Sequence, residues 1–366
     1  VAESAAMFNS NRLSIARKRR GLTKTSLAKR AGIDLRSITA YEAGDYPPKL
    51  DTAELLASAL KFPIEFFYGD DLDEPHPDTA SFRALTKMTA TQRDMALSQG
   101  AIALHLNNWL EQKFDLPKPN LPDLSRETSP EAAAESLRRQ WNIGVLPVRN
   151  MIHLLEANGV RIFSLAIDAR EVDAFSQWKG ETPFIFLNNH KSSEHSRWDA
   201  AHELGHLVLH RHGSPQGRDT EREADLFASA FLMPQTSVIS YANRNPSLPG
   251  LIKLKANWIV SVSALNRRLH DVGMTSDWQY RTLSIEIAKR GYRTHEPKEA
   301  PRELSSVLKT VFDDLRADGY SRADIARKLT IPRDELEQLI FGLGMAAHEG
   351  GCKTTATKAT KLELVR

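Results

Sequence analysis

The chain carries the run Trp198-Asp199-Ala200-Ala201-His202-Glu203-Leu204-Gly205-His206-Leu207-Val208-Leu209-His210. On a helix, His202 and His206 fall one turn apart on one face, about 6 Å along the axis, so both imidazoles can reach one metal. Glu203 neighbours the first of them and can reach a water activated there without being a ligand itself. Two imidazole ligands beside a carboxylate base is the arrangement that hydrolyses bonds on a zinc ion. The plainer reading is an amphipathic helix with two buried polar histidines, and spacing alone does not separate the two.

A third ligand has to come from elsewhere. His212 would need a glycine in place of Leu209 to turn the chain back, and His210 lies about 12 Å along the axis from His202. A better source is Asp219-Thr220-Glu221-Arg222-Glu223-Ala224-Asp225-Leu226-Phe227-Ala228-Ser229-Ala230-Phe231-Leu232-Met233-Pro234. Its apolar face reads Ala224, Phe227, Ala228 and Phe231, a helical set, and one turn back that face contains Glu221. Glu221 is therefore the expected carboxylate ligand, with Asp225 as acceptor for a ligand histidine. Glu223 stays open as the alternative ligand, and the acidic cluster would also suit a helix N-terminus with no metal at all.

The pair of blocks Ala-His-Glu-Leu-Gly-His and Glu-Arg-Glu-Ala-Asp-Leu-Phe-Ala-Ser-Ala-Phe-Leu-Met-Pro resembles the ImmA/IrrE family of bacterial metallopeptidases, over roughly residues 130–290. The resemblance implies a gluzincin-like site with Zn2+ on His202, His206 and Glu221 and with Glu203 as base. It also implies a protein substrate, a repressor or other regulator, in a stress, prophage or toxin-antitoxin setting.

Those helices need a scaffold. Short strand patterns at 160–165 and 183–188 suggest a small sheet beside the zinc helix, and helices are expected from Pro130 and Pro147. Residues 184–188 are the candidate edge for holding an extended substrate by strand addition. His190, Tyr241 and His270 are candidates for stabilising an oxyanion, with nothing to choose among them.

The first 68 residues carry different chemistry. Between Asn11 and Lys49 stand ten Lys/Arg against Asp34, Glu42 and Asp45. Helices are expected from Leu13 to Gly21, from a Thr23 cap, and from an Asp34 cap to Gly44, the last two joined by Gly32-Ile33 as a helix-turn-helix. Gly21-Leu22-Thr23, Leu27-Ala28, Ala31-Gly32-Ile33, Ile38, Tyr41-Glu42-Ala43-Gly44 and Pro48 resemble the XRE (lambda-repressor-like) DNA-binding domain, which implies double-stranded operator DNA as partner. Arg36, Ser37, Thr39 and Ala40 are then the positions facing base edges. Lys24, Arg17, Arg19 and Arg20 are expected on phosphates.

The rest is framework. Residues 69–78 are acidic and proline-bearing and read as a hinge, with His76 solvated, before a long helix at 89–114 whose apolar stripe must be covered. Residues 301–339 read as short helices that loosely mimic a second helix-turn-helix or form a dimerisation or lid element. Residues 350–361 read as a disordered tail, with Cys352 a passive thiol.

The expected fold is mainly α (α+β). It comprises a five-helix head (1–68), hinge and connecting helix (69–127), a zinc peptidase domain with a small sheet (128–280) and a helical C-terminal module (281–366). A formal charge of +3 makes any nucleic-acid signal local, and one cysteine excludes an intrachain disulfide and suits a reducing cytoplasm. No apolar run reaches membrane-spanning length. Val1 reads as a non-ATG start or a trimmed end, with Met7 as another start. The whole points to a cytoplasmic DNA-binding regulator with a zinc endopeptidase that cuts a partner repressor or itself, a homodimer on paired half-sites. The competing expectation is a non-catalytic repressor or antitoxin with an idle or structural zinc site.

Overall fold

The computed structural model describes residues 7–75, 81–82, 88–165, 174–188, 191–212 and 217–343, residues 81–82 by backbone alone. His76, His190, Cys352 and the 350–361 tail lie outside the described residues.

The head is built from α1 (Ser10–Arg19), α2 (Lys24–Ala31), α3 (Leu35–Ala43), α4 (Leu50–Leu60) and a 3-10 turn at Ile64–Tyr68. Local chemistry sets each boundary. Thr23 accepts from the Ser26 amide and Asp34 from the Arg36 amide, while Gly32 and Gly44 end α2 and α3 in the left-handed conformation. Leu13, Leu27, Ile38, Leu56 and Phe66 are fully buried between the helices.

The chain then passes through β1 (Ser81–Phe82) into α5 (Ala90–Glu111), which opens on a Thr89–Gln92 capping box. Buried along most of its length, α5 packs against α1 of the head. At Gly100 a Cβ would stand 2.6 Å from Pro75 and 3.4 Å from Phe175, so glycine lets linker and sheet close onto the helix.

The acidic stretch before it is not the spacer expected. Asn9 donates to the Gly69 carbonyl and to Asp71 at 2.9 Å, Arg12 to the Asp70 carbonyl at 2.6 Å, and Lys18 pairs with Glu74 at 2.9 Å. Asp73 pairs with Lys179 of the sheet at 2.6 Å. The head's own cations neutralise the acids and hold residues 69–75 down.

The second domain runs through α6 (Pro130–Gln140), α7 (Met151–Ala157), β2 (Arg161–Ser164), β3 (Ala174–Lys179), β4 (Thr182–Leu187), α8 (Ser193–Leu209) and α9 (Arg218–Leu232). The helix expected from Pro147 starts at Met151 instead, because Asn150 caps it. The sheet order is β1-β3-β4-β2, with β2 parallel to β4 and the other pairs antiparallel. A two-residue turn, Gly180-Glu181, joins β3 to β4, with Gly180 at φ +57°. Because β4 is paired on both sides, residues 184–187 cannot accept a further strand, and the expected substrate edge does not lie there.

Four more helices, α10 (Gln235–Tyr241), α11 (Leu248–Leu254), α12 (Val262–Asp271) and α13 (Asp277–Lys289), back this core, which buries Trp258. The segment that follows straps the catalytic-side helices together. Glu303 accepts from the Met151 and Ile152 amides and from Arg197 of α8, and the Ala300 amide donates to Glu194 of α8 at 3.0 Å.

The C-terminal module consists of α14 (Ser306–Ala317), α15 (Arg322–Lys328) and α16 (Arg333–Ile340). Far from presenting a second DNA-reading helix, α16 begins on acids and docks on the head. Arg19 donates to Glu335 at 2.7 Å and to Gln338, and Arg20 reaches Glu335 at 2.7 Å. Arg19 and Glu335 are 4% and 0% exposed, so the pair is dry and its geometry fixed.

Removing one partner of such a pair strands the other in a buried place, at a cost of roughly 3–5 kcal/mol. Glu335→Ala is therefore expected to lower the denaturant midpoint and to make the head the first part released in limited proteolysis. A wild-type digestion pattern would show that the contact carries no docking energy.

Candidate functional site

The site stands where α8 and α9 cross. Ser192 caps α8, and the strap described above holds its first turn. Gly205 sets the separation of the helices: a Cβ there would stand 3.1 Å from the Phe227 ring and 3.3 Å from the Ala224 backbone. With only hydrogen at that position, α9 comes close enough for Glu221 to meet the two histidines. The Nε2 atoms of His202 and His206 lie 3.1 Å apart, and the Glu221 carboxylate stands 3.4 Å from one and 3.3 Å from the other. Four ligands placed tetrahedrally at about 2.0–2.1 Å from a zinc ion are about 3.3–3.4 Å apart, so these edges fit. Among the described residues, His202, His206 and Glu221 form the group that could hold a metal.

The outer partners fix which nitrogen of each ring is presented. His202 Nδ1 lies 2.9 Å from Asp225, which also receives the Trp198 indole N–H at 3.4 Å. A carboxylate accepts only, so the His202 proton sits on Nδ1 and the lone pair on Nε2. His206 is served through a relay: its Nδ1 lies 3.0 Å from His210 Nδ1, and His210 Nε2 lies 2.9 Å from Glu223. Glu223 accepts a hydrogen bond from His210 Nε2–H, His210 Nδ1 then accepts from His206 Nδ1–H, and the His206 lone pair also faces Glu221. Burial first, then the neighbouring His202 and His210, push His206 down to about 4 despite Glu221. Burial alone would raise Glu221, but contact with His202 and His206 outweighs it and brings the carboxyl to about 2. Two imidazole nitrogens and a carboxylate converge on one point, a donor set suited to a divalent cation.

Glu203, on the same helix, is fully buried and accepts from Ser176 Oγ of β3 at 2.7 Å. Sequence reasoning missed both Ser176 and the strand it sits on. The Gly180-Glu181 hairpin turn was the signal that could have found them. It also gave His210 and Glu223 no joint role, since their contact is made only when α8 and α9 cross. The remaining candidates are placed elsewhere: His212 pairs with Asp123 at 3.1 Å, Tyr241 packs edge-on against Trp258, and His270 meets Asp277 at 2.7 Å and stacks on Tyr280.

On the head, Arg36 and Thr39 are exposed on α3 and Ser37 is half-buried. Lys24, partly exposed, lies 3.5 Å from Glu42. The phosphate role expected of three arginines meets a competing use. Arg17 binds Glu42 at 2.5 and 3.0 Å and the Leu22 carbonyl, tying α1 to α3. Arg19 and Arg20 are the arginines held by α16, and Arg20 also donates to the Leu60 carbonyl. Burial withdraws Arg19 from DNA in this arrangement.

Asp225→Asn removes the acceptor that fixes the His202 tautomer, and losses of such outer partners run to about 10–100-fold in metal affinity. Competition with a chelator should show a loss in that range, and unchanged affinity would remove Asp225 from the site. Arg36→Ala should weaken binding to the preferred DNA sequence about tenfold or more and flatten sequence preference. Equal losses on all DNA sequences in a gel-shift series would place Arg36 on the backbone instead.

Two stretches of the chain match known family models. Residues 13–67 match the helix-turn-helix family model, and residues 155–270 match the model described as the IrrE N-terminal-like domain, a peptidase family. No curated protein is matched. With His202, Glu203, His206 and Glu221 all inside the second match, the chain joins an N-terminal DNA-binding helix-turn-helix domain of XRE type to an IrrE N-terminal-like metallopeptidase domain.

Proposed function

We propose that this chain is a DNA-binding transcriptional regulator whose second domain is a zinc-dependent endopeptidase acting on a regulator protein. The observation that carries the reading is the convergence of His202, His206 and Glu221, with the ring protons of both histidines engaged on the far side. A purely structural site has no use for a buried carboxylate beside the first ligand, and Glu203 is that carboxylate.

When bound, zinc supplies Lewis acidity, polarising a peptide carbonyl and acidifying water. The chain's own residues do the rest. His202, His206 and Glu221 would hold the ion. Glu203, steadied at Oε2 by Ser176, accepts the proton of the attacking water and returns it to the departing amine. Burial of Glu203 keeps other water away from that proton path. Arg36, Thr39 and Ser37 bring the peptidase to a DNA site, and double-stranded DNA and a repressor-like protein are the partners that follow.

The test is metal analysis beside a base knockout. Wild type should hold about one zinc per chain, lost in His202→Ala and Glu221→Ala. Glu203→Gln should keep zinc and DNA binding while cleavage falls by about 10²–10⁴-fold, the worth of a positioned general base. Zinc retained in Glu221→Ala would move the third ligand to Glu223. Intact regulation in Glu203→Gln would make the protein a non-catalytic repressor with an idle zinc site.

A further inference from the structure

A cavity of about 1080 Å³ adjoins the metal group, walled by α9, α12 and the first turns of α8. Its α9 wall is one helical face, with Arg218, Glu221, Arg222, Asp225, Leu226 and Ser229 at positions i, i+3, i+4, i+7, i+8 and i+11. Glu221 thus belongs both to the metal group and to this wall. Ligand sites usually span about 300–1,000 Å³, so there is room here for more than one side chain.

The acids around the cavity are engaged. Glu194 is held by Lys255 at 2.7 Å, Asp225 by His202 at 2.9 Å and Asp271 by Arg267 at 2.8 Å, while Glu221 faces both histidines. Arg218 and Arg222 are exposed on the cavity wall and make no ion pair or hydrogen bond with any described residue, Asp219 included. Neither charge serves α9 itself. Two cations one turn apart repel each other, and cations near a helix N-terminus oppose its dipole. Both guanidinium groups are therefore available to an anion in the cavity. Trp198, Leu226 and Tyr280 add apolar surface on which a side-chain stem can lie. Arg267 belongs to the α12 wall with its charge already matched by Asp271.

We infer that this cavity is a specificity pocket in which Arg218 and Arg222 select an acidic side chain of the substrate protein close to the bond that is cut. This deepens the peptidase reading and rests on it, since Glu221 is what ties the cavity to the metal. Residues three apart on a helix have Cβ atoms about 5–6 Å from each other, so Arg218 stands that close to Glu221. An extended chain advances about 3.3 Å per residue. The carboxylate held by the arginines then belongs to a residue within about two positions of the scissile bond. A lysine or arginine at the same position would meet two unmatched guanidinium groups, so the pair rejects basic sequences as well as attracting acidic ones.

The experiment uses the zinc-loaded full chain with the arginines intact, with Arg218→Glu/Arg222→Glu, and with Arg218→Gln/Arg222→Gln, which adds no charge beside Glu221. Binding is measured in the Glu203→Gln background by fluorescence anisotropy, with unstructured synthetic peptides that differ only in two central residues, Asp, Asn or Lys. With the arginines intact, the Asp peptide should bind about tenfold more tightly than the Lys peptide, the scale of two partly desolvated charge pairs. The order should reverse in the Glu variant and vanish in the Gln variant, while Arg36→Ala on the head leaves it unchanged. Cleavage of a peptide library randomised at its centre, read by mass spectrometry with Glu203 present, should show Asp or Glu enriched beside the cut, and the Gln variant should lose that enrichment. Equal zinc content checks that the variants fold. Equal binding of the three peptides, or an Asp preference that survives in the Gln variant, would overturn the proposal. Cleavage with no acidic enrichment would sink the pocket and leave the peptidase reading standing. Charge-reversible binding with no cleavage by any form would keep the pocket and sink the peptidase reading.

Discussion

Everything in the second domain depends on presenting two neutral imidazole lone pairs and one carboxylate to the same point. Imidazole does not do this unaided, because either nitrogen can carry the proton. The structure settles the choice by placing a carboxylate behind each histidine, directly for His202 and through His210 for His206. Both carboxylates, like the third ligand, come from α9, so one helix supplies Glu221, Glu223 and Asp225 on neighbouring turns. That is possible only if α9 lies against α8, which is what Gly205 permits. The acidic run is thus a matched set of acceptors rather than a charged helix end.

The same logic of buried, matched charge joins the two ends of the chain. Arg19 and Arg20 sit at the C-terminal end of α1, Glu335 and Asp334 on the last described helix, and both helices also pack on α5. Buried ion pairs add little net stability but fix geometry, since each charge is costly wherever its partner is not. The head is therefore held in a set orientation on the second domain while Arg36 and Thr39 of α3 stay exposed. Basic residues that looked like a single DNA-binding surface are divided between holding the head together, docking it and standing exposed on α3.

What could be read from the sequence follows from this. Helix caps, the turn at Gly32, the four-residue spacing of His202 and His206 and the inward face carrying Glu221 are local, so the chain order displays them directly. Contacts that depend on how helices and strands cross are not. Arg19 and Glu335 are 316 residues apart, and nothing near either one marks the other. β3 escaped notice because Ala174, Phe175, Ser176 and Gln177 are all buried, erasing the alternation that marks a half-exposed strand. With β3 missing, β4 looked like an edge, Ser176 had no place, and the partner of Glu203 stayed hidden.

The acidic connection shows how a correct reading of composition can still give the wrong architecture. Residues 69–75 are acidic enough to repel DNA, and a free linker was the natural inference. A linker beside a basic head, however, meets cations at much closer range than any solvent ion, and Lys18, Arg12 and Lys179 are all within reach. Once neutralised, the segment has little reason to extend into water and instead delivers the chain to the sheet at β3. Charge in this protein decides first where chain segments lie against each other, and what remains exposed is what can act on a partner.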